Sequence, residues 1–480
     1  MTKLKTIFFA ASALALLGVS ACKDPSDGTG GDSSGTLTPK YRIFFSVGRG
    51  SGTLKAEVDG VKINSGDQVE KDKTLVFTAE PDAGYVVKQW TKGYDTAITE
   101  AGTDKTYTYT VTADATIRVE FKVLPAPLVE GGASLILSRD RLDIKVKVTT
   151  ADNSSVRIEG CTETELTSGT ETVLHATGTV VILKGKIIEL SFRYNQLTAL
   201  NVQGLTALQE LNCDSNNLTG LNVQGLTALQ RLACYHNWLT ALNVQGLTAL
   251  QSLSCGSNNL TGLNVQGLTS LQELWCSNNK LTALDVQGLT ALQRLACYHN
   301  RLTALNVQGL TALQELDCYN NQLTALDVQG LTALQSLACD WNQLTALNVQ
   351  GLTALQILTC DWNQLTALNV QSLTALQRLD CYNNQLTALD VQGCTALQSL
   401  PCFGNRLTAD AFKKLFNDLS VRADSDNASC YLYTERTGDT EGNHTYFSAP
   451  SDLADAFNNA KTVKKWKMYK FDADGQPVGI

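Results

Sequence analysis

Apolar positions in residues 187–407 return with a fixed period of 21 residues. Two consecutive units read LQELDCYNNQLTALDVQGLTA (313–333) and LQSLACDWNQLTALNVQGLTA (334–354). In the first, the apolar set is Leu313, Leu316, Cys318, Leu323, Leu326, Val328 and Leu331. Leu316-Asp317-Cys318 alternates apolar, polar, apolar, which predicts a short strand with one buried face. The remainder, LTALDVQGLTA, carries the chain round and back through a glycine. A period of this size held over eleven units is the mark of a solenoid. A single unit cannot hold itself folded, so neighbours must share a core and a parallel strand ladder. Eleven strands about 4.8 Å apart predict a sheet on the order of 50 Å long.

Outside the array the period is gone. Runs at 42–47, 54–58, 75–79, 107–112 and 116–121, with Gly and Asp between them, predict a β domain over 40–123. Strands expected at 135–137, 142–148, 156–158 and 179–183 make a bridge over 124–185 that leads into a first repeat strand at 190–192. An open solenoid end leaves apolar surface and strand edges bare, so this bridge is expected to close it. The repeats take 186–408. Residues 409–419 place apolar side chains at i, i+3, i+4 and i+7, predicting an amphipathic helix with Thr408 as N-cap. A strand at 430–434, a helix at 451–460 and a strand at 466–471 complete an α/β cap over 409–480 that continues the sheet. The expected class is mainly β, or α+β: a solenoid between a small N-terminal β domain and an α/β cap.

Two columns in the repeat carry polar or reactive chemistry. An Asn stands at every twenty-first position from Asn195 to Asn405. An inward amide there can serve backbone groups that no strand satisfies at the bend. A Cys stands at every twenty-first position from Cys213 to Cys402, with Phe192 in the first unit. Ten thiols invite a metal or disulfide reading, but there is no CxxC pair and no accompanying His column. Residues in register on parallel strands point the same way, which a disulfide cannot use. The column is expected to pack as small buried hydrophobes.

The unit fits LxxLxLxxNxL with Cys in the third apolar slot, and so resembles the leucine-rich-repeat family, in particular its short bacterial class that includes the listerial internalins. The stretches VFTAEPDAGYVVKQW (76–90) and YTVTADATIRVEF (109–121) resemble the internalin B-repeat. That second resemblance implies a spacer or weak binding module with no chemistry attached, and Tyr85 and Trp90 are expected in its core. The first implies a leucine-rich-repeat solenoid whose outward strand slots line a concave face.

Those slots are where the copies differ. The return-side Val and the Gln after it are identical in ten units, from Val202 to Val391. Between Leu and Cys, and in the two slots after Cys, the copies scatter and collect aromatic residues. Candidate partner-binding residues are therefore Tyr235, His236, Trp275, Tyr298, His299, Tyr319, Trp341, Trp362 and Tyr382, with Arg231, Arg294 and Arg378 just before their strands. Tyr, Trp and Arg are the types that anchor interfaces.

Location is read from the N-terminus. Lys3 and Lys5 precede an apolar run, 7–19, and then Val-Ser-Ala-Cys at 19–22. This pattern predicts a secretory signal over 1–21. Its last four residues resemble the bacterial lipobox, which implies a lipid on Cys22 and a chain secreted across the inner membrane to the cell surface, with the outer membrane favoured. Residues 22–39 are rich in Gly and Ser and predict a flexible tether.

Composition narrows the function further. The net charge is −8 and the repeats carry no basic stripe, which argues against nucleic acid. The four His lie in no catalytic or ligand pattern, and no nucleophile elbow or phosphate loop is present, so no enzyme and no cofactor are expected. Asp472-Ala473-Asp474-Gly475 resembles the opening of a calcium loop but lacks its later Glu, so no metal is expected. Cys394 and Cys430 are either paired or free, and Cys161 has no evident role. The function expected is adhesin-like: a monomer binding a protein partner on a host or neighbouring cell. A structural envelope protein and a glycan-binding surface module are the alternatives.

Overall fold

The computed structural model describes residues 38–50, 52–82, 85–93, 96–98, 102–123 and 126–480. The signal segment 1–21, Cys22 and all but the last two residues of the 22–39 tether lie outside them.

The N-terminal β domain has a core of its own, separate from that of the rest of the chain. One sheet has five strands and the other four. The first strand, Lys40–Arg49, pairs parallel with the last, Ala115–Val123. Trp90 is fully buried and its indole N–H donates to the Asp104 carbonyl at 2.9 Å. Tyr85 only packs against the edge of that core, so the expectation of a core position holds for Trp90 alone. The sequence reading missed the strand Tyr85–Lys92 because a bulge between Val87 and Gln89 breaks its alternation.

From Ala133 onward one apolar core runs unbroken to Met468. A sixteen-stranded sheet forms its wall. Its repeat strands run from Ile187–Ser191 through Glu210–Asn212 to Ser399–Pro401, all parallel, and Leu211 lies opposite Leu232 as Leu295 lies opposite Leu316. The strands begin one residue earlier than expected. Glu315–Asp317 is a strand and Cys318 follows it. Arg231, Arg294 and Arg378 therefore head their strands and do not precede them. The first repeat strand likewise starts at Ile187, ahead of the expected 190–192.

Both ends of the sheet are finished by antiparallel strands. Asp143–Thr150 pairs with Ile187–Ser191 at one end, and Pro477–Gly479 pairs with Lys467–Phe471 at the other. The C-terminal cap inserts Ser429–Thr434 and Lys467–Phe471 in parallel, continuing the wall. Its helices are Ala409–Asp418 and Ser451–Thr462. The Thr408 hydroxyl accepts from the Ala411 N–H, as the cap reading required. Phe412, Leu415 and Phe416 are the buried stripe of the first helix. Asp472 closes the last hairpin by accepting from the N–H groups of Asp474 and Gln476 at 3.0 and 2.8 Å. Its carboxylate thus serves a turn, and no cluster of metal-ligating groups occurs among the described residues. Cys394 and Cys430 are both free and buried.

Candidate binding face

Alternation along each strand sends Leu inward and its two neighbours outward. In Glu273–Trp275, Leu274 is buried while Glu273 and Trp275 are half-buried. Past the strand the ladder continues for two more steps: the Cys297 N–H donates to the Asp317 carbonyl at 2.8 Å and the His299 N–H to the Tyr319 carbonyl at 3.1 Å. The residue before each Asn then takes a left-handed backbone, with φ between 50° and 54° from Ser215 to Asn383. This kink turns the Asn amide into the coil.

The amides interlock. Asn321 Nδ2 donates to the carbonyls of Cys318, at 3.0 Å, and of Cys297 in the preceding unit, at 3.1 Å. Its Oδ1 accepts from the Leu302 N–H at 3.0 Å. Each Cys carbonyl therefore receives two amides, as Cys297 receives those of Asn300 and Asn321. The ladder is closed at its ends by non-repeating groups. Asn195 exchanges both its bonds with the Lys145 backbone in the N-terminal bridge. Asn443, in the C-terminal cap and outside the period, accepts from the Leu407 N–H at 2.8 Å and donates to the Cys402 carbonyl at 2.9 Å. The face thus stands on a fixed backbone.

The uniform Gln of the return side is not a free surface residue. Gln329 Nε2 donates to the carbonyls of Asn348 and Gln350 in the next unit, at 3.1 and 3.4 Å, and its N–H bonds the Asp327 carboxylate at 3.0 Å. Gln224 and Gln266 likewise reach two carbonyls of the next unit, and Gln350 reaches that of Asn369. These bonds give several of the constant Gln side chains a structural role, so the contrast between an unvaried Gln and a varied strand face does not by itself argue for binding. The case for the face rests on what its own side chains do.

All twelve candidate residues lie on the sheet side or at its edge. Tyr235, His236, His299, Trp341 and Trp362 are exposed, as are Arg231, Arg294 and Arg378; Trp275, Tyr298, Tyr319 and Tyr382 are half-buried. Their rings stack along the array. Tyr298 and Tyr319 lie with centroids 4.5 Å apart and planes 6° from parallel, and Trp341 lies 4.5 Å from Trp362. Tyr382 stacks on Phe403, which meets Phe471 of the cap edge-on. Tyr431 and Tyr469 on the cap strands stack in turn. Phe403, Tyr431, Tyr469 and Phe471 were not among the candidates, and those of the cap could have been found only by placing its strands in register with the repeats. Trp238, 60% exposed, was also missed; it follows the Asn and leaves the sheet face. The arginines are engaged. Arg231 faces Glu210 at 3.4 Å, Arg294 bridges Glu273 and Glu315 at 3.5 and 3.3 Å, and Arg378 grips both oxygens of Asp380.

Carboxylates crowd the same stretch. Burial, then Asp340 after the opposing hydrogen bond from the Tyr382 hydroxyl, pushes Asp361 up to about 7. Burial also raises Asp317 and Asp340 above the usual carboxylate range. The Tyr319 hydroxyl is pushed up to about 12 by burial, by Tyr298 and by the Asp317 and Asp340 charges. Beside them, toward the cap, a groove of about 680 Å³ is lined by Trp362, Arg378, Tyr382, Phe403, Tyr431 and Arg436, among others.

The thiol column faces the other way. From Cys213 to Cys402 every sulfur is buried and free. Burial pushes the thiols up, Cys276 to about 12, which disfavours the thiolate at neutral pH. Cys161, half-buried at the edge of the N-terminal bridge, is raised to about 11 for the same reason.

Comparisons with known proteins place these features. Residues 50–124 match the family described as the divergent InlB B-repeat domain, and residues 248–291 the family described as leucine rich repeats. None of the curated proteins matches the chain. Among solved structures it is similar to the functional domain of InlJ from Listeria monocytogenes, described as including a cysteine ladder, at 27% identity over 60% of this chain and 75% of that one, with a TM-score of 0.41. It is also similar to the leucine-rich-repeat protein LIC12759 of Leptospira interrogans, at 29% identity over 45% and 66%, with a TM-score of 0.39. A third is YopM, a leucine-rich effector protein from Yersinia pestis, at 21% identity over 46% and 78%, with a TM-score of 0.36. Among the described residues no helix is long and apolar enough to cross a membrane.

Proposed function

We propose that this chain, a divergent InlB B-repeat domain followed by a leucine-rich-repeat solenoid, is a lipid-anchored bacterial surface protein that binds a protein partner of a host or neighbouring cell through the sheet face of its repeats. One observation carries the reading. Trp341 and Trp362 sit at φ 52° and 50°, yet stay 51% and 42% exposed. Other units fill that slot, at a similar left-handed φ, with Tyr, Ser, His, Asn or Gly. The two rings stack on each other with centroids 4.5 Å apart and are not drawn into the core. An exposed, stacked aromatic pair on the sheet side supports reading that face as a recognition surface, since such rings anchor interfaces.

The rest of the chain supports that role. Cys22 supplies the lipid, residues 22–39 the tether, and the B-repeat domain a spacer that holds the array away from the envelope. The face recognises and performs no chemistry, so no cofactor is needed. The test replaces Trp275, Tyr298, Tyr319 and Trp341 by Ala in the full chain and measures binding to whole host cells and to immobilised matrix proteins. Lost binding with an unchanged urea midpoint is expected. Unchanged binding with an intact fold overturns the assignment. Cys22→Ala, expressed in a bacterial host, is expected to move the protein from the membrane fraction to the soluble one.

A further inference from the structure

We infer that the groove between the Trp341–Trp362 pair and the C-terminal cap binds a short neutral saccharide, with one pyranose ring lying against the open face of the Trp362 indole. The site goes beyond the protein-binding role proposed for the sheet face and does not rest on it.

The groove exists because a column of side chains runs out. The slot before the Asn holds Trp341, Trp362, Asn383 and Gly404 in successive units. Trp341 covers one face of Trp362, and among the described residues no ring covers the other. Beyond Trp362 the shorter Asn383 and then Gly404, without a side chain, leave the space open, and Tyr382, Phe403 and Tyr431 line it. The cap supplies the far wall with Arg436, Asp439 and Pro477. That wall is held in place. The Glu441 carboxylate accepts from the N–H groups of Gly404, Thr434 and Asn443 at 3.0, 2.7 and 2.8 Å, and the Asp439 N–H donates to the Arg436 carbonyl at 3.1 Å. The volume of about 680 Å³ lies within the range of small-molecule sites, and a wall already fixed removes the cost of ordering it on binding.

The chemistry of the lining selects the ligand. Arg378 and Arg436 stand against Asp380 and Asp439, so the groove has no net charge to hold an ion. Arg378 grips Asp380 through Nε and Nη2, and Nη1 takes no part. Arg436 and Asp439 are exposed and enter no ion pair among the described residues. Free N–H donors and a carboxylate acceptor thus stand beside an aromatic face. A hydroxyl both donates and accepts, and so can use each of them. The face of an aromatic ring carries negative charge and draws polarised C–H bonds. A pyranose meets both needs, with a flat C–H face inside a rim of hydroxyls and no charge. An apolar side chain would desolvate Arg436 and Asp439 without bonding them.

The test titrates the full chain with maltotriose, cellotriose and triacetylchitotriose by calorimetry. Sialyllactose, the deacetylated chitotriose and an acetylated, amidated hexaproline serve as acidic, cationic and peptide comparisons. Binding of at least one neutral trisaccharide, tighter than that of any comparison, is expected. Trp362→Asn is expected to weaken it by roughly tenfold or more, and Arg436→Gln by severalfold. Asn fills that slot in other units and Arg436 is exposed, so both variants should keep the urea midpoint of the parent chain. Binding of none of the three at about 10 mM, binding indifferent to Trp362→Asn, or tighter binding of a comparison overturns the inference. Trp362→Asn leaves Trp275, Tyr298, Tyr319 and Trp341 in place. If the alanine variant of those four loses cell binding while no saccharide binds, the groove alone falls. If a saccharide binds and obeys Trp362 while cell binding ignores the four aromatics, the groove stands and the protein-binding role falls.

Discussion

Replacing neighbouring members of the Asn ladder tests the architecture most directly. Asn321→Ala removes the acceptor of the Leu302 N–H, which no other group replaces. An orphaned buried N–H costs about 1–3 kcal/mol. The carbonyls lose less, because Cys297 keeps Asn300 and Cys318 keeps Asn342. Each bond lost from a still-satisfied carbonyl is worth about 0.5–1 kcal/mol. The single variant is therefore expected to lose about 2–5 kcal/mol.

The pair Asn300→Ala with Asn321→Ala differs in kind. The Cys297 carbonyl now has neither amide. The double variant should exceed the sum of the singles by about 1 kcal/mol or more. Asn258→Ala with Asn321→Ala shares no carbonyl, since Asn258 serves Cys234 and Cys255, and should be additive within about 0.5 kcal/mol. The assay is equilibrium urea unfolding followed by far-UV circular dichroism and Trp fluorescence. Coincident transitions are needed before one ΔG is assigned, because a long array can lose cooperativity. Additivity in the neighbouring pair, equal to that in the distant pair, refutes the shared-carbonyl account.

Three further outcomes follow from single sites. Ser372 stands at φ 63° where Gly fills the same turn in other units, so Ser372→Gly should raise stability by about 0.5–1 kcal/mol in the same urea assay, and a loss would deny the strain. The Asp361 carboxyl is raised in the folded state to about 7; the folded chain then holds a proton that the unfolded chain releases above about 4. Stability from this group is full below pH 4 and is lost as pH rises toward 7, so Asp361→Asn should flatten the fall in urea midpoint across that window. The buried column thiols should resist a small maleimide in the native chain and react together on unfolding, whereas rapid labelling of native Cys276 or Cys318 would contradict their burial.

How much of this was readable beforehand depends on where the information lies. The solenoid, its Cys and Asn columns and the capping helix with Thr408 are written in local period, which sterics and burial convert directly into structure. The strand start at Glu315 was missed because apolar alternation marks burial, and Cys318 is buried without being in the strand. The bonds of the Gln329 side chain were not legible because its partners, the carbonyls of Asn348 and Gln350, are one turn away and invisible to a within-unit reading. The left-handed turn at Trp341 and Trp362 left only an indirect trace, the Asn, Ser and His of the other copies.

Asn443 shows why the ends of the array cannot be drawn from the period alone. It lies 36 residues beyond Leu407 yet gives that residue the bond each repeat receives from the next. The cap is thus a chemical continuation of the coil. Deleting residues 313–333 joins Ala312 to Leu334 with the period intact and leaves every surviving Asn its neighbours in kind. That variant should fold, with a smaller urea slope in proportion to the surface removed. Ending the chain at residue 408 instead strands the Leu407 N–H, leaves the Cys402 carbonyl with only Asn405, and bares Leu400 and Leu407 at an open end. That variant should aggregate or melt over a broad range, and Asn443→Ala should reproduce the hydrogen-bond part of the defect at about 2–4 kcal/mol. Cooperative unfolding of the truncated chain at an unchanged midpoint would mean that the repeats close themselves, and the cap would then owe its place to something other than the coil.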